Sequence, residues 1–190
     1  GEEKTGVTIM QMNAGLDTGD MLYKKEIEID RKDTFETLHD KLMELGGEAI
    51  VEALPLLEEG SLIPEAQQDE RSCYAPLITK EMGRIDFAQD AYAIELKVRG
   101  MNPWPSAYTS YRGKQLKIWE AVAEEADCGC AEDNLENCGK ILQVFKDSVV
   151  IGTGKGILKV YSMQLEGKKR MNAHDFLLGV RMQPGEMLGE

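Results

Sequence analysis

The hydrophobic period changes along this chain, and that change limits the folds open to it. Phe35, Leu38, Leu42, Leu45, Ala49 and Leu54 recur at three- and four-residue steps, the spacing that puts apolar side chains on one helical face. Asp33-Thr34-Phe35-Glu36 reads as a capping box in front of them, with Asp33 as the N-cap. Gly46-Gly47 weakens this helix, Pro55 disturbs its last part and Gly60 marks a stop. Ahead of it, residues 7–12 read as a buried strand. Residues 21–29 read as a second, with Tyr23, Ile27 and Ile29 alternating against Leu22, Lys24, Glu26 and Glu28. Residues 1–60 therefore read β-loop-β-α. Two strands and one helix bury too little to stand alone, so this stretch is expected to be the tail of a larger α/β domain.

Beyond it the pattern loses its period. Pro64, Pro76 and the polar run Gln67-Gln68-Asp69-Glu70 give an extended linker. Ala91, Ile94, Val98 and Met101 mark a short helix ending near Gly100. From Ser106 onward the pattern is of short strands, at 116–118, 141–145, 148–151 and 157–165, separated by Gly-rich turns. Strands at this spacing suggest a small, closed or nearly closed barrel. Asn172 caps a last short helix ending at Gly179. The expected domains are 1–62, a linker 63–81, and a mainly β domain 82–190. Gly152-Thr153-Gly154-Lys155-Gly156 lacks the spacing of a phosphate loop and no long helix follows, so it reads as a turn. Trp104, in Asn102-Pro103-Trp104-Pro105, reads as an anchor of helix against sheet, and Trp119 as a core residue.

Charge divides the chain at the same place. Residues 1–81 carry 8 basic and 19 acidic side chains, residues 82–190 carry 14 and 15. Seven of those 15 acids lie within 120–136, and between 140 and 181 eight bases face three acids. The first part repels a polyanion, and the second can attract one on a local face. The longest apolar runs, such as Val149-Val150-Ile151, are far short of the ~20 residues that span a bilayer. The start, Gly1-Glu2-Glu3-Lys4-Thr5, has no apolar signal core and reads as an internal cut. A soluble, cytoplasmic protein without a membrane partner is expected. Four Cys do not make a disulfide scaffold. Cys128, Cys130 and Cys138 form C-x-C-x7-C with Cys73 distant, a poor match to paired zinc ligands, so no metal is expected.

The residues suited to chemistry lie in Asn13-Ala14-Gly15-Leu16-Asp17-Thr18-Gly19-Asp20, a glycine-punctuated loop between two strands. A carboxylate held at a strand end suits proton-relay or orienting work, although the same residues also suit an ordinary turn. The stretch from Thr5 to Met21 resembles the late catalytic-domain segment of the methionyl-tRNA formyltransferase family. So do Arg84-Ile85-Asp86-Phe87, Asn102-Pro103-Trp104-Pro105 and Gly167-Lys168-Lys169-Arg170-Met171-Asn172-Ala173, in the same order.

That resemblance implies a fold class of an α/β fragment, the C-terminal part of a Rossmann-like formyltransferase domain, plus an OB-like barrel. It implies formyl transfer from 10-formyltetrahydrofolate to the amino group of initiator methionyl-tRNA. Asp17 takes the family's catalytic aspartate position, and the backbone of Asn13, Ala14, Gly15, Leu16 and Asp17 would line the folate pocket. The family's Asn-x-His-x-Ser-Leu-Leu-Pro segment is not in these 190 residues. His39 and His174 match neither catalytic position. The chain alone is therefore expected to be an inactive part of a monomeric enzyme, with the other half of the catalytic domain as a partner. Lys80, Arg84, Arg112, Lys114, Lys155, Lys168, Lys169 and Arg170 are the candidate tRNA contacts. Another folate-dependent formyltransferase or hydrolase, or a non-catalytic tRNA-binding fragment, are the alternatives.

Overall fold

The computed structural model describes residues 1–126 and 136–189. Cys128 and Cys130, and with them most of the C-x-C-x7-C motif, lie outside the described residues. The chain divides into two compact units, Gly1–Leu77 and Ile78–Glu190.

In the first unit β1 (Lys4–Met10) and β2 (Met21–Glu28) form a two-stranded antiparallel sheet, paired from Lys4↔Glu28 to Met10↔Met21 with a bulge at Ile9/Met10. The helix α1 (Phe35–Glu58) packs on both strands. Its buried stripe is Leu45, Ala49 and Ala53, flanked by half-buried Leu38, Leu42 and Leu56. Leu54 is exposed because a further residue along the helix turns about 100° away from Ala53. The helix runs unbroken through Gly46-Gly47 and through Pro55, which lies in its last turn.

The cap departs from expectation. The N-cap is Thr34, whose side chain accepts from Thr37 N while the Thr37 hydroxyl accepts from Thr34 N, a capping box built of two threonines. Asp33 is freed for another task. Its buried carboxylate accepts from Asp30 N at 2.9 Å, Thr37 Oγ1 at 2.9 Å and Lys41 Nζ at 2.7 and 2.8 Å. Burial alone would raise its pKa, but these donors outweigh it and hold Asp33 below the usual carboxylate range.

The second unit holds α2 (Ala91–Gly100), β3 (Ala107–Tyr111), β4 (Lys114–Glu124), β5 (Ile141–Val144), β6 (Val149–Gly152), β7 (Ile157–Leu165), β8 (Met171–Asn172) and α3 (Ala173–Gly179). Asp90 caps α2 and Asn172 caps α3, each by a side-chain oxygen accepting from the first helical turn. The strands are antiparallel in the order β3-β4-β7-β6-β5, with β8 paired to β7. Ile94 and Val98 of α2 pack with Ile118, Leu158, Val160 and Phe176 in one core. The unit is mainly β, as expected, but among the described residues no strand pairing joins β3 to β5, so the sheet is not a closed barrel.

An irregular segment lies along those two edges. Ile141 N donates to Glu186 O and Leu188 N to Gly139 O, both at 2.8 Å, on the β5 side. Gly189 N donates to Ser110 O at 2.9 Å on the β3 side. The Glu186 side chain fastens the same place: it accepts from Tyr111 Oη and from Gln183 N at 2.8 Å, and is ion-paired with Arg112.

The turn at 152–156 connects β6 to β7. Gly154 N donates to Phe87 O and Gln89 O at 2.8 and 3.0 Å, and a Cβ there would lie 1.9 Å from Ala88 O, so only glycine fits. Trp104 is exposed rather than an anchor. Trp119 is half-buried on the outer side of β4, not in the core, because the buried set on that strand is Leu116, Ile118 and Ala121. No described helix is long and apolar enough to cross a membrane.

Candidate functional site

Asp17 stands in the loop between β1 and β2, exposed, with a positive φ of 53°. Asn13 braces the near side of the loop, its Oδ1 accepting from Gly15 N at 3.0 Å and Thr18 Oγ1 at 2.8 Å. Gln11 N donates to Asp20 O at 2.9 Å and closes the loop's neck. The neck is tight enough to require glycine at position 19, where a Cβ would lie 1.7 Å from Gln11 O. Gln67 braces the far side: its Nε2 donates to Asp17 O at 2.8 Å and to Gly19 O at 2.7 Å. Asp17 lines a cleft of about 730 Å³, together with Leu16, Lys24, Gln67, Arg71 and Tyr74 among others. In the sequence Gln67 is only part of a polar linker, and no local pattern marks it, because its partners are about fifty residues away.

Asn13, Ala14, Gly15 and Leu16 lie together at the rim of this loop, all exposed. A flat apolar ring could meet Leu16 and the adjoining backbone there. What the loop offers chemically is one carboxylate whose backbone is fixed on both sides, suited to orienting a partner group. His39 and His174 are surface residues of α1 and α3, beside Asp40 and Asp175 respectively. Among the described residues no group of three His, Cys, Asp or Glu is placed to hold a metal.

The candidate cations of the second unit fall into separate groups. Arg112 and Lys114 flank the β3–β4 turn, and Lys168, Lys169 and Arg170 the turn before β8. These two turns are hydrogen-bonded to one another, Glu166 N to Gln115 O at 2.8 Å and Gln115 N to Glu166 Oε2 at 3.2 Å. Lys80 and Arg84 flank a 3-10 turn, Glu81–Gly83, and Arg84 bridges Tyr108 of β3. Lys155 lies at the opposite end of β7 from Lys168, beside Asp90 at 3.7 Å, so it does not join the others. Arg112 is committed to Glu186, to which its Nε also donates at 3.2 Å, and its Nη2 donates to Arg181 O at 3.1 Å. Lys114, Lys168, Lys169 and Arg170 have no ion-pair partner among the described residues.

Residues 77–181 match the family model of the formyl transferase C-terminal domain, and residues 1–54 match that of formyl transferase. The chain is 47% identical over its whole length to a methionyl-tRNA formyltransferase of Geobacter metallireducens, covering 58% of that protein. It is 45% identical, over 99% of its length, to that of Caldanaerobacter subterraneus subsp. tengcongensis, covering 59%. A solved variant of HypX from Aquifex aeolicus shares its fold with a TM-score of 0.64 at 25% identity, over 96% of this chain and 32% of that one. The chain thus spans under two thirds of the curated relatives it matches.

Proposed function

This chain belongs to the formyl transferase family, and from that premise we propose that it serves methionyl-tRNA formyltransferase. Residues 1–62 are read as the end of the catalytic domain, 63–81 as linker, and 82–190 as an OB-like tRNA-binding domain. The observation that carries the reading is the 47% identity to a methionyl-tRNA formyltransferase across all of this chain. The antiparallel, mainly β make-up of this unit, with Ile94 and Val98 of α2 in its core, is what supports the OB-like reading.

The formyl donor is read as 10-formyltetrahydrofolate, which supplies an activated formyl carbon to the methionyl amine. The residues present fit one wall of a site for it: the exposed Asn13–Leu16 backbone and the Leu16 side chain can meet a flat ring. The Asp17 carboxylate, its backbone held by Gln67, orients the histidine that relays the proton from the attacking amine. That histidine and the asparagine that would hold the developing oxyanion belong to a segment not among these 190 residues. No metal takes part, and the working enzyme is read as monomeric and cytoplasmic.

The test is a formylation assay on the 190-residue chain, alone and with a separately made fragment carrying the Asn–His segment. The chain alone is expected to be inactive. Removing a single oxyanion donor already costs about 10² to 10³ in rate. Complementation should restore activity, and Asp17→Asn should then remove most of it. Formylation by the chain alone would overturn the reading of the active site.

A further inference from the structure

The outer face of the sheet in the second unit sets Lys117, Trp119 and Gln164, which the family resemblance does not assign, beside Arg170, which it does. On β4, Lys117 and Trp119 flank buried Ile118 and so point outward together. Register then builds a row across the sheet: Arg84 bridges Tyr108, Tyr108 pairs with Lys117, and Lys117 pairs with Gln164 of β7. Trp119 is fixed by its edge, since Nε1 donates to Gln164 Oε1 at 3.2 Å. Gln164 Nε2 in turn donates to Lys168 O at 2.8 Å and holds the turn that carries Lys168 and Lys169. Two cations lie over the indole, the Arg170 guanidinium 5.1 Å and the Lys117 ammonium 5.7 Å from the ring centroid. Arg170 Nε also donates to Ser162 Oγ at 3.3 Å.

The charge state of this cluster sets it apart. Lys159 likewise lies over aromatic rings, those of Phe145 and Tyr161, but it faces Glu124 at 3.7 Å. Neither Lys117 nor Arg170 has an ion-pair partner among the described residues. The nearby Glu166 carboxylate accepts from the Gln115 N–H instead, and Glu120 sits at a register break of β4 opposite Ser162. A cation over an indole is attracted by the ring's quadrupole, which restrains two long side chains without neutralising them. Two restrained cations without ion-pair partners therefore stand near the turn that carries Lys168 and Lys169.

We propose that Trp119 organises Lys117 and Arg170 into a contact for two successive phosphates of an RNA backbone, and that Trp119 is thereby a positioning residue for RNA binding. The proposal deepens the reading of residues 82–190 as tRNA-binding and rests on it. Affinity of the 190-residue chain for unacylated tRNA, measured between 50 and 200 mM salt at the low and high ends of a titration (about the range over which such contacts weaken steeply), tests it. K117Q/R170Q should flatten the slope of log K against log salt by roughly 1.4 to 1.8, at ~0.7 to 0.9 per phosphate. K159Q should leave the slope unchanged. W119L should weaken binding roughly threefold or more with both charges kept, and W119F should recover part of it, because phenylalanine retains a weaker cation–ring attraction.

An unchanged slope in K117Q/R170Q, with a flattened one in K168Q/K169Q, overturns this site while the tRNA reading stands. No salt-dependent binding by the wild-type chain overturns both. Unchanged affinity in W119L overturns the organising role of the indole. Should W119L fail to melt cooperatively, the surface double variant decides the matter.

Discussion

Gln67 holds Asp17 by the backbone: its side-chain amide donates to the Asp17 carbonyl oxygen at 2.8 Å and leaves the Asp17 carboxylate free. A residue of the extended segment after α1 thus sets the posture of a loop between two strands. Gln67→Ala removes this bond and the one to Gly19. One exposed and one part-buried hydrogen bond contribute together about 1 kcal/mol. Amide exchange across 17–20 should accelerate several-fold in the variant, with exchange in the paired residues of β1 and β2 unchanged, as read by hydrogen-exchange mass spectrometry.

Glu186 is the polar fastener of the second unit. Burial, and then the bond to Glu186, pushes the Tyr111 hydroxyl up to about 12. Glu186→Ala strips partners from Tyr111, Arg112 and the Gln183 N–H at once. A loss of about 1–3 kcal/mol is expected in denaturant unfolding, against a much smaller loss for an exposed control such as Lys146→Ala.

Acid should loosen both units through two carboxylates. Glu186 feels burial first, which raises its pKa. Hydrogen bonds from Arg112, Gln183 N and Tyr111 outweigh that and leave it below the ordinary range, as Lys41, Asp30 N and Thr37 do for Asp33. A group whose folded pKa is depressed stabilises fully above its unfolded pKa and loses that contribution as pH falls through the folded value. The unfolding midpoint should therefore decline below about pH 4.5, and the decline should be shallower in Asp33→Asn/Glu186→Gln.

Phe176 is fully buried in the core of the second unit. Phe176→Ala should cost about 3–5 kcal/mol, the usual range for an aromatic cavity. Leu54→Ala, on an exposed face of α1, should change stability far less. Thermal melts of the two variants compare them directly.

Much of this was legible from local pattern. The alternation of Tyr23, Ile27 and Ile29, the steps from Leu38 to Ala49, and the caps Asp90 and Asn172 each depend on residues within a turn or two of one another. The misreadings came where two local options competed. Asp33 and Thr34 both suit an N-cap; Thr34 takes that place, and Asp33, just ahead of the helix, pairs instead with Lys41 in its second turn. Trp119 alternates with Ile118 on a strand, and alternation alone does not say which of the two faces inward. Gln67, the row from Arg84 to Gln164, and the segment from 185 to 189 all act across long separations, which a one-dimensional reading does not register. For the Asp17 loop itself, spacing suggested a tethered carboxylate, and the residues that tether it came only from the structure.

The segment 185–189 meets the β5 side through Ile141 and Gly139 and the β3 side through Ser110. An unpaired strand edge is a template on which another chain can add a strand. Here the edge donors at Ile141 and the edge acceptors at Gly139 and Ser110 are taken up by a stretch too irregular to be extended in its turn. The same five residues, Glu186 with its bond to Tyr111 among them, thus act as a guard against polymerisation, and a chain cut before Gly185 would be expected to lose solubility before it lost its strands.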